Sequence, residues 1–317
     1  MSAFVPLREL RVKPMVPAHA RPPRNPAGQR PRWLLAPAAT GSNYRSLKRL
    51  VADLRLHTVC ESAACPNVGD CWNRLSATFM ILGNVCTRRC GFCAVQKGPP
   101  LSVDYDEPRR VATGVAAMGL RHAVITSVNR DDRPDGGAEL FAMTIRAIRE
   151  RLPDCSVEVL VPDFQGSTEA MDTVLDARPA ILNHNVETVA RLYRTVRAGS
   201  DYDRSLAMLR HASERNGVPT KSGIMLGLGE TLDEVRQTLR DLRASGVDIL
   251  TVGQYLRPSP DHLAIQRYYT PAEFGQIGEF GRSIGFRHVE SGPLVRSSYH
   301  ADEGLPAVSR QFPHSLA

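Results

Sequence analysis

Short apolar runs alternate with amphipathic segments along the chain after Ser76. The apolar runs predict six buried strands, at Ala77–Leu82, His122–Val128, Val157–Val161, Ala180–Asn185, Ser222–Leu226 and Ile249–Tyr255. The amphipathic segments predict helices at Pro108–Met118, Ala138–Arg151, Leu232–Ser245 and Pro271–Ser283. Repeated strand–helix–strand units predict an α/β fold with a parallel sheet and right-handed crossovers. We therefore expect an incomplete (β/α)6 barrel of the TIM type.

Polar residues and glycines follow several predicted strands, where barrels of this kind build their active sites. Glycine lets a backbone approach a ligand closely, and carboxylates bind amines or ribose hydroxyls. Singly, each signal is weak, since a Gly-Gly pair after a strand is more often a turn and a lone Glu more often a solvated helix start. Their shared position at strand ends favours ligand binding by Asn129, Asp131, Gly136, Gly137, Glu187 and Gly227.

Six of the seven cysteines form two triplets with different spacings. The first triplet, C-x4-C-x5-C, is Cys60, Cys65 and Cys71, and the second triplet, C-x3-C-x2-C, is Cys86, Cys90 and Cys93. Each triplet is one thiolate short of the four that close a structural zinc site or a fully protein-ligated [4Fe–4S] cluster. An open metal position is where metal sites do chemistry. The second triplet directly follows the first predicted strand, as a catalytic metal site would require.

The net charge of +7 is concentrated at the start of the chain. Residues 1–50 contain ten Lys or Arg and one acid, Glu9, so they carry +9 and the remainder carries −2. We interpret residues 1–31 as a basic, Pro-rich arm over the surface, and without interleaved aromatic residues nucleic-acid binding is not expected. No apolar stretch is long enough to span a membrane.

Clustered cysteines in such a chain indicate metal ligation in a reducing compartment. We expect a cytoplasmic location, and an organellar one, such as mitochondrial, remains the alternative because the arm is Arg-rich and poor in acids. Three disulfides suit a small secreted domain better than this long α/β chain. Two zinc sites completed by histidine, with His57 nearby, are a second alternative. Cys155, outside both triplets, is interpreted as an inert structural thiol.

The second triplet, with Phe92 before its last cysteine, resembles the defining motif of radical S-adenosylmethionine (SAM) enzymes. The wider context resembles the lipoyl synthase family within them, through Thr58-Val-Cys-Glu-Ser-Ala-Ala-Cys-Pro-Asn67, Pro219-Thr-Lys-Ser-Gly-Ile-Met-Leu-Gly-Leu-Gly-Glu230, Thr251-Val-Gly-Gln-Tyr-Leu256 and Arg296-Ser-Ser-Tyr299. The resemblance runs from about Arg32 to Ala301. It implies a radical SAM barrel over residues 76–286, an N-terminal extension over 32–75 and a C-terminal segment over 287–317.

The resemblance also implies a function. Cys86, Cys90 and Cys93 would be catalytic ligands of one [4Fe–4S] cluster, with SAM on the fourth iron and the strand-end residues contacting SAM. The first triplet and the oxygen of Ser298 would hold an auxiliary [4Fe–4S] cluster that gives up two sulfur atoms. These atoms would be inserted at C6 and C8 of an octanoyl group on a carrier-protein lysine, consuming two SAM molecules per lipoyl group.

The implied partners are an octanoylated lipoyl carrier protein or domain, an electron donor such as ferredoxin or flavodoxin, and an iron–sulfur assembly or carrier protein. No nucleic acid or membrane partner is expected. Two alternatives stay open from the sequence. One is a non-enzymatic zinc or iron–sulfur module that senses redox state or binds nucleic acid, and the other is a radical SAM enzyme with a different substrate.

Overall fold

The computed structural model describes residues 26–36, 39–63, 65–74, 76–215 and 217–298. Most of the predicted arm, residues 1–25, lies outside these ranges, as do Tyr299 and the residues after it.

The described residues form ten strands. They are β1 (His57–Thr58), β2 (Thr78–Ile81), β3 (Val85–Cys86), β4 (Gln96–Lys97), β5 (His122–Ser127), β6 (Ser156–Leu160), β7 (Ile181–Asn183), β8 (Thr220–Leu226), β9 (Ile249–Gln254) and β10 (His288–Gly292). Eight of them form one sheet in the order β1-β2-β5-β6-β7-β8-β9-β10, while β3 and β4 pair separately. β1 is antiparallel to β2, and every other pair in the large sheet is parallel. The predicted parallel sheet is confirmed.

The described residues form ten α-helices, of which the last seven lie in the connections between parallel strands. They are α1 (Ser42–Asp53), α2 (Val59–Ser62), α3 (Val68–Asn73), α4 (Glu107–Ala117), α5 (Ala138–Arg151), α6 (Thr168–Asp176), α7 (Tyr193–Val196), α8 (Tyr202–Glu214), α9 (Leu232–Ala244) and α10 (Pro271–Ser283). The four predicted helices are confirmed as α4, α5, α9 and α10. Two of them begin at capping boxes, where Thr231 with Glu234, and Thr270 with Glu273, satisfy the first free N–H groups of the helix.

Three differences from the sequence expectation have physical reasons. β10 was not predicted, because His288–Gly292 lies half-buried throughout and lacks an apolar run. β8 begins two residues before the prediction, at Thr220, because the polar pair Thr220-Lys221 is buried inside the fold. β1 and β10 come from the expected N-terminal and C-terminal segments, so both segments contribute strands to the barrel sheet.

The apolar core has two main parts. One packs strands β2, β5 and β6 against helices α4, α5 and α6, with Phe79, Ile125 and Phe141 fully buried. The other packs β8 and β9 against α9 and α10, with Leu250 and Phe274 fully buried. This packing fixes the helices on the outside of the sheet, so the loops at the carboxyl ends of the strands are free to build a site.

A buried ion pair lies within the sheet. Lys221 Nζ on β8 is 3.0 Å from Glu158 Oε1 on β6, and Asn183 Nδ2 on β7 donates to the same oxygen at 3.0 Å. Burial alone would raise the pKa of Glu158, but Lys221 and His122 hold this pKa below its ordinary value. The carboxylate thus stays ionised in the interior because its cation is present.

Lys221→Ala should strongly destabilise the protein. Removing the cation leaves a buried carboxylate uncompensated, which costs about 3–5 kcal/mol in the free energy of unfolding. Urea unfolding measures the loss, with Arg215→Ala as the control, because Arg215 pairs with Asp176 at the surface. Exposed pairs contribute about 0–1 kcal/mol. Equal losses in the two variants would contradict this account of the interior.

Candidate active site

One cavity, of about 530 Å³, lies at the carboxyl ends of the parallel strands. Strands β2 and β5 to β9, or the loops that follow them, contribute lining residues, which include Met80, Thr126, Leu160, Asn185, Gly223 and Thr251. The volume is in the range of small-molecule and cofactor sites. Cysteines of both triplets also line it. The fold therefore brings two cysteine motifs and the strand ends to a single space.

The second triplet lies on a loop whose two ends are paired with each other. The parallel pairing of β3 with β4 closes the loop, and the N–H of Gly98 donates to the carbonyl of Cys86 at 3.1 Å. The N–H of Gly91 donates to Val196 O at 2.9 Å, and His262 Nε2 donates to Cys93 O at 3.1 Å. Backbone bonds thus hold the loop over the cavity while its three thiols face inward.

The thiols of the second triplet are buried close to one another. Burial, followed by the neighbouring thiols, raises the pKa of Cys93 to about 11 despite a hydrogen bond from the Val95 backbone. Burial also raises the pKa of Cys90, against the opposing effect of Arg197. Without a bound metal the thiols of Cys90 and Cys93 keep their protons, and a metal ligand must be a thiolate. Iron binding here would therefore release protons.

The first triplet is built on two short helices. Cys60 lies in α2, which begins where Thr58 Oγ1 accepts from the N–H of Glu61, and Cys71 lies in α3. Burial raises the pKa of Cys60 to about 11 and that of Cys71 to about 12, and the Cys65 thiol adds to both shifts. Cys60 and Cys65 line the cavity, and Cys71 is not among its lining residues. The three thiols are neighbours.

The C-terminal segment returns to the first triplet. Asn67 Nδ2, between Cys65 and Cys71, donates to Leu294 O at 2.7 Å, and the N–H of Gln254 donates to Pro293 O at 3.3 Å. Ser297 and Ser298 consequently line the same cavity as Cys60 and Cys65. The fold thus joins two segments that are more than 220 residues apart in the sequence, as ligation by Ser298 would need.

Several buried polar atoms at the cavity have no hydrogen-bond partner within the described chain. They are Ser127 Oγ, Asn129 Oδ1, Asn185 Oδ1 and Arg197 Nε. Burying such groups without a partner costs free energy, so a polar ligand at this position would stabilise them. The amino, carboxylate and ribose groups of SAM offer suitable donors and acceptors. The residues present therefore fit that cofactor, and Asn129 is among those expected from the sequence.

Glu187 lies at the cavity with a strained backbone. Its φ is +67°, in the left-handed region that is uncommon for a residue with a side chain. Burial raises the pKa of its carboxyl group, while Arg197 lowers it, and Asn185 Nδ2 donates to Glu187 Oε1 at 3.2 Å. Strain of this kind persists where the surrounding structure enforces it, often at a functional site.

Four residues expected to contact SAM are not among the cavity-lining residues. Asp131 accepts two hydrogen bonds from Arg88 instead. Gly136 and Gly137 form the turn into α5, where a Cβ on Gly137 would lie 2.2 Å from Leu82 Cδ1. A Cβ on Gly227 would lie 2.1 Å from Gln254 Nε2. Packing explains these glycines, and direct contact of the four residues with SAM stays an untested prediction.

Of the cations in the cavity wall, only Arg296 is indicated by the sequence as a residue that could offset negative charge on a cluster or anchor the tail. Arg30, Arg88, Lys97, Arg197, Arg257 and Arg296 line the cavity, and Glu187 is the one carboxylate residue among the described lining residues. A cluster held by thiolates carries negative charge, which a cationic wall stabilises. Arg88 and Arg296 lie within recognised motifs, whereas nothing in the sequence near Arg197 marks it as a site residue.

The cysteines also bear on the alternatives. All seven are free thiols, so the alternative of three disulfides finds no support here. Among the described residues, no three His, Cys, Asp or Glu side chains converge on one point as ligands of a single metal ion do. A four-iron cluster does not require such convergence, because each of its cysteines binds a different iron atom.

Comparisons with known proteins define the class. The family model for the radical SAM superfamily matches residues 80–242. The crystal structure of Streptococcus suis SuiB bound to precursor peptide SuiA is similar in fold, with a TM-score of 0.54 and 12% sequence identity, covering 79% of this chain and 53% of that chain. The fold and the second triplet therefore define a radical SAM enzyme, a class that uses SAM and a [4Fe–4S] cluster.

Closer relatives define the family. The family model for the N-terminal domain of lipoyl synthase matches residues 19–65. The lipoyl synthase of Koribacter versatilis is 61% identical over 282 residues, which cover 89% of this chain and 92% of that protein. That of Rubrobacter xylanophilus is 62% identical over 275 residues, which cover 86% of each. The chain belongs to the lipoyl synthase family.

Membership of this family carries several consequences. The chain is an enzyme of the sulfurtransferase type, so the choice of an enzyme over a non-enzymatic module is confirmed. Its substrate class is an octanoylated carrier protein. None of the helices in the described ranges is long and apolar enough to cross a membrane.

Asn67→Ala should loosen the tail at the first triplet. The variant loses the hydrogen bond to Leu294 O, which contributes about 1 kcal/mol. Hydrogen–deuterium exchange should become faster at residues 293–298. Asn43→Ala is the matched control, because Asn43 Nδ2 makes a similar bond to Asn73 O on the surface. Unchanged exchange at 293–298 in Asn67→Ala would show that other contacts hold the tail.

Proposed function

We propose that the enzyme inserts two sulfur atoms, at C6 and C8 of an octanoyl group on a carrier-protein lysine, and so forms the lipoyl cofactor. The observation that carries this proposal is the single cavity lined by cysteines of both triplets and by Ser298. Neither C–H bond has an acidifying neighbour, so general-base catalysis cannot break it. A radical route with a nearby sulfur source accounts for both triplets.

In this proposal Cys86, Cys90 and Cys93 would hold three irons of the first [4Fe–4S] cluster. With SAM bound to it, this cluster would supply the radical chemistry for abstracting hydrogen from the octanoyl chain. Asn129 and Arg197 present buried, unpartnered groups that would orient SAM. Glu187 is the acceptor for its amine or ribose hydroxyls. The apolar part of the lining, which includes Met80, would pack against the octanoyl chain.

The first triplet and Ser298 would hold the auxiliary cluster, which supplies the two sulfur atoms. An alkoxide is a harder and less usual ligand for iron than a thiolate, so this position is suited to opening. Arg296 also lines the cavity, and it lies close enough to Cys65 and Glu187 to interact electrostatically with both. It would offset negative charge on the auxiliary cluster.

The proposed reaction needs further partners. Two SAM molecules are consumed per lipoyl group, and each cleavage requires one electron from a donor such as ferredoxin or flavodoxin. An iron–sulfur carrier protein would rebuild the auxiliary cluster after turnover. We place the reaction in the cytoplasm, which the clustered free thiols support because they need a reducing compartment.

A single-turnover assay tests the proposal. Anaerobically reconstituted protein is mixed with SAM, reductant and octanoylated carrier, and mass spectrometry follows 5′-deoxyadenosine and the lipoyl product. Wild-type protein should give both. Cys90→Ala should abolish SAM cleavage, because one of three cluster ligands is lost, whereas Cys65→Ala should retain SAM cleavage and lose sulfur insertion.

Cys155→Ala is the control for cysteine replacement, because Cys155 lies outside both triplets and is buried. It should retain both products. Equal loss of 5′-deoxyadenosine in the Cys90 and Cys65 variants would refute the division of roles between the triplets. Wild-type protein that cleaves SAM yet gives another product would point to a different substrate.

Ser298 can be tested by changing its ligand chemistry. Ser298→Ala should leave SAM cleavage intact but impair sulfur transfer, since the auxiliary cluster loses a ligand. Ser298→Cys should restore four-thiolate ligation and give a cluster that resists opening, so the lipoyl product should again fall. Ser297→Ala is the neighbouring control and should keep product formation. Wild-type rates in both Ser298 variants would remove Ser298 from the mechanism.

A further inference from the structure

Arg88 lies inside the C-x3-C loop, and its guanidinium makes hydrogen bonds to other segments of the barrel. Its Nε and Nη2 donate to the two carboxylate oxygens of Asp131 at 2.7 and 2.8 Å. Nη2 also donates to Asp163 Oδ1 at 2.6 Å, and Nη1 donates to Ser200 Oγ at 3.0 Å. The side chain is only 3% exposed. One buried guanidinium thus joins the cysteine loop to three other segments of the barrel.

Asp163, the deepest partner of Arg88, is itself held on several sides. Its side chain is fully buried, and its second oxygen accepts from Arg204 Nε at 2.9 Å. The N–H of Gln165 donates to Oδ1 at 3.1 Å. The three residues after Asp163, Phe164–Gly166, all have positive φ, at 42°, 53° and 91°. The surrounding structure enforces this strained turn, and Asp163 accepts hydrogen bonds from both Arg88 and Arg204.

The residue before Arg88 connects the same loop to the SAM side of the cavity. The N–H and Oγ1 of Thr87 both donate to Asn129 O, at 3.1 and 3.0 Å. Thr87 Oγ1 accepts from the N–H of Asp131 at 3.1 Å. Residues 87–88 and 129–131 are therefore bonded through both backbone and side chains. The side-chain oxygen of Asn129 meanwhile remains unpartnered at the cavity.

We propose that Arg88 is a positioning residue that fixes the second triplet relative to the SAM-binding wall. This inference rests on the proposed function, in which the second triplet carries the cluster and Asn129 helps to orient SAM. By bonding Asp131 and Asp163 together, Arg88 keeps the thiols and Asn129 in one rigid unit. The distance between the cluster and the bond broken in SAM then depends on Arg88, although Arg88 is not one of the cluster ligands.

The planar fork of arginine is required for this role. A lysine would keep the charge next to Asp131 and Asp163, but one ammonium group cannot bond both carboxylates and Ser200 in the same fixed geometry. Arg88→Lys should therefore fold with its buried charges compensated, while the loop becomes looser. This separates a positioning role from simple charge neutralisation.

Three measurements on the full chain test the inference. In the metal-free protein, hydrogen–deuterium exchange over residues 86–97 should be faster in Arg88→Lys than in wild type. In the reconstituted protein, removal of iron by a chelator should be faster, and the yield of lipoyl product per 5′-deoxyadenosine should be lower. Loss of partners that orient metal ligands typically costs about 10-fold to 100-fold in metal affinity or activity. The midpoint of thermal unfolding should fall only by the effect of the lost hydrogen bonds, because the lysine still compensates the charge of both carboxylates.

Arg89→Ala is the matched control, because Arg89 is the next residue of the same loop and is exposed. It should leave exchange, iron release and product yield unchanged. Arg88→Lys that behaves as wild type in exchange and iron release would overturn the inference. So would a variant that unfolds earlier but keeps its product yield per 5′-deoxyadenosine, since that is a purely structural effect. Wild-type protein that loads iron but never cleaves SAM would refute the proposed function, and the exchange measurement would still decide whether Arg88 fixes the loop.

Discussion

Parallel pairing of the strands is the constraint on which the other features depend. From β2 to β10 every neighbouring pair in the large sheet is parallel, so all the carboxyl ends meet at one edge. Parallel strands need long crossover connections, and the helices supplying them cover the outer face of the sheet. Loops that carry cysteines, amides and arginines are thereby gathered at the same end. The site follows from this direction of pairing more than from any single residue.

The sequence predicted the elements that have a strong periodic signal. Six apolar runs and four amphipathic stretches were sufficient for the parallel core, because burial on both faces selects apolar residues. β10 has no such signal, since its residues are half-buried at the sheet edge. Helices α6 and α8 were also not predicted, although they begin at capping residues Ser167 and Asp201. A single Ser or Asp identifies a helix start only when the segment after it already predicts a helix.

The candidate site could be predicted where the chemistry lies in local motifs. The cysteine triplets are such motifs, and Asn129 and Glu187 follow strands directly. Asp131 also follows a strand, but Arg88 takes both of its oxygens, and only the folded chain shows this. Arg197 had no motif of its own. Arg197 lines the cavity because the loop after β7 folds back towards it. A single sequence does not reveal such a long-range contact.

The bond from Asn67 to Leu294 has a consequence for the timing of assembly. A ribosome releases the N-terminal part of a chain first, so the first triplet emerges well before the tail. During that interval its thiols exist without the segment that carries Ser298. A cluster ligated by this serine can be completed only after nearly the whole protein has been synthesised. In the proposed function, the auxiliary cluster is therefore completed only after the barrel has been synthesised.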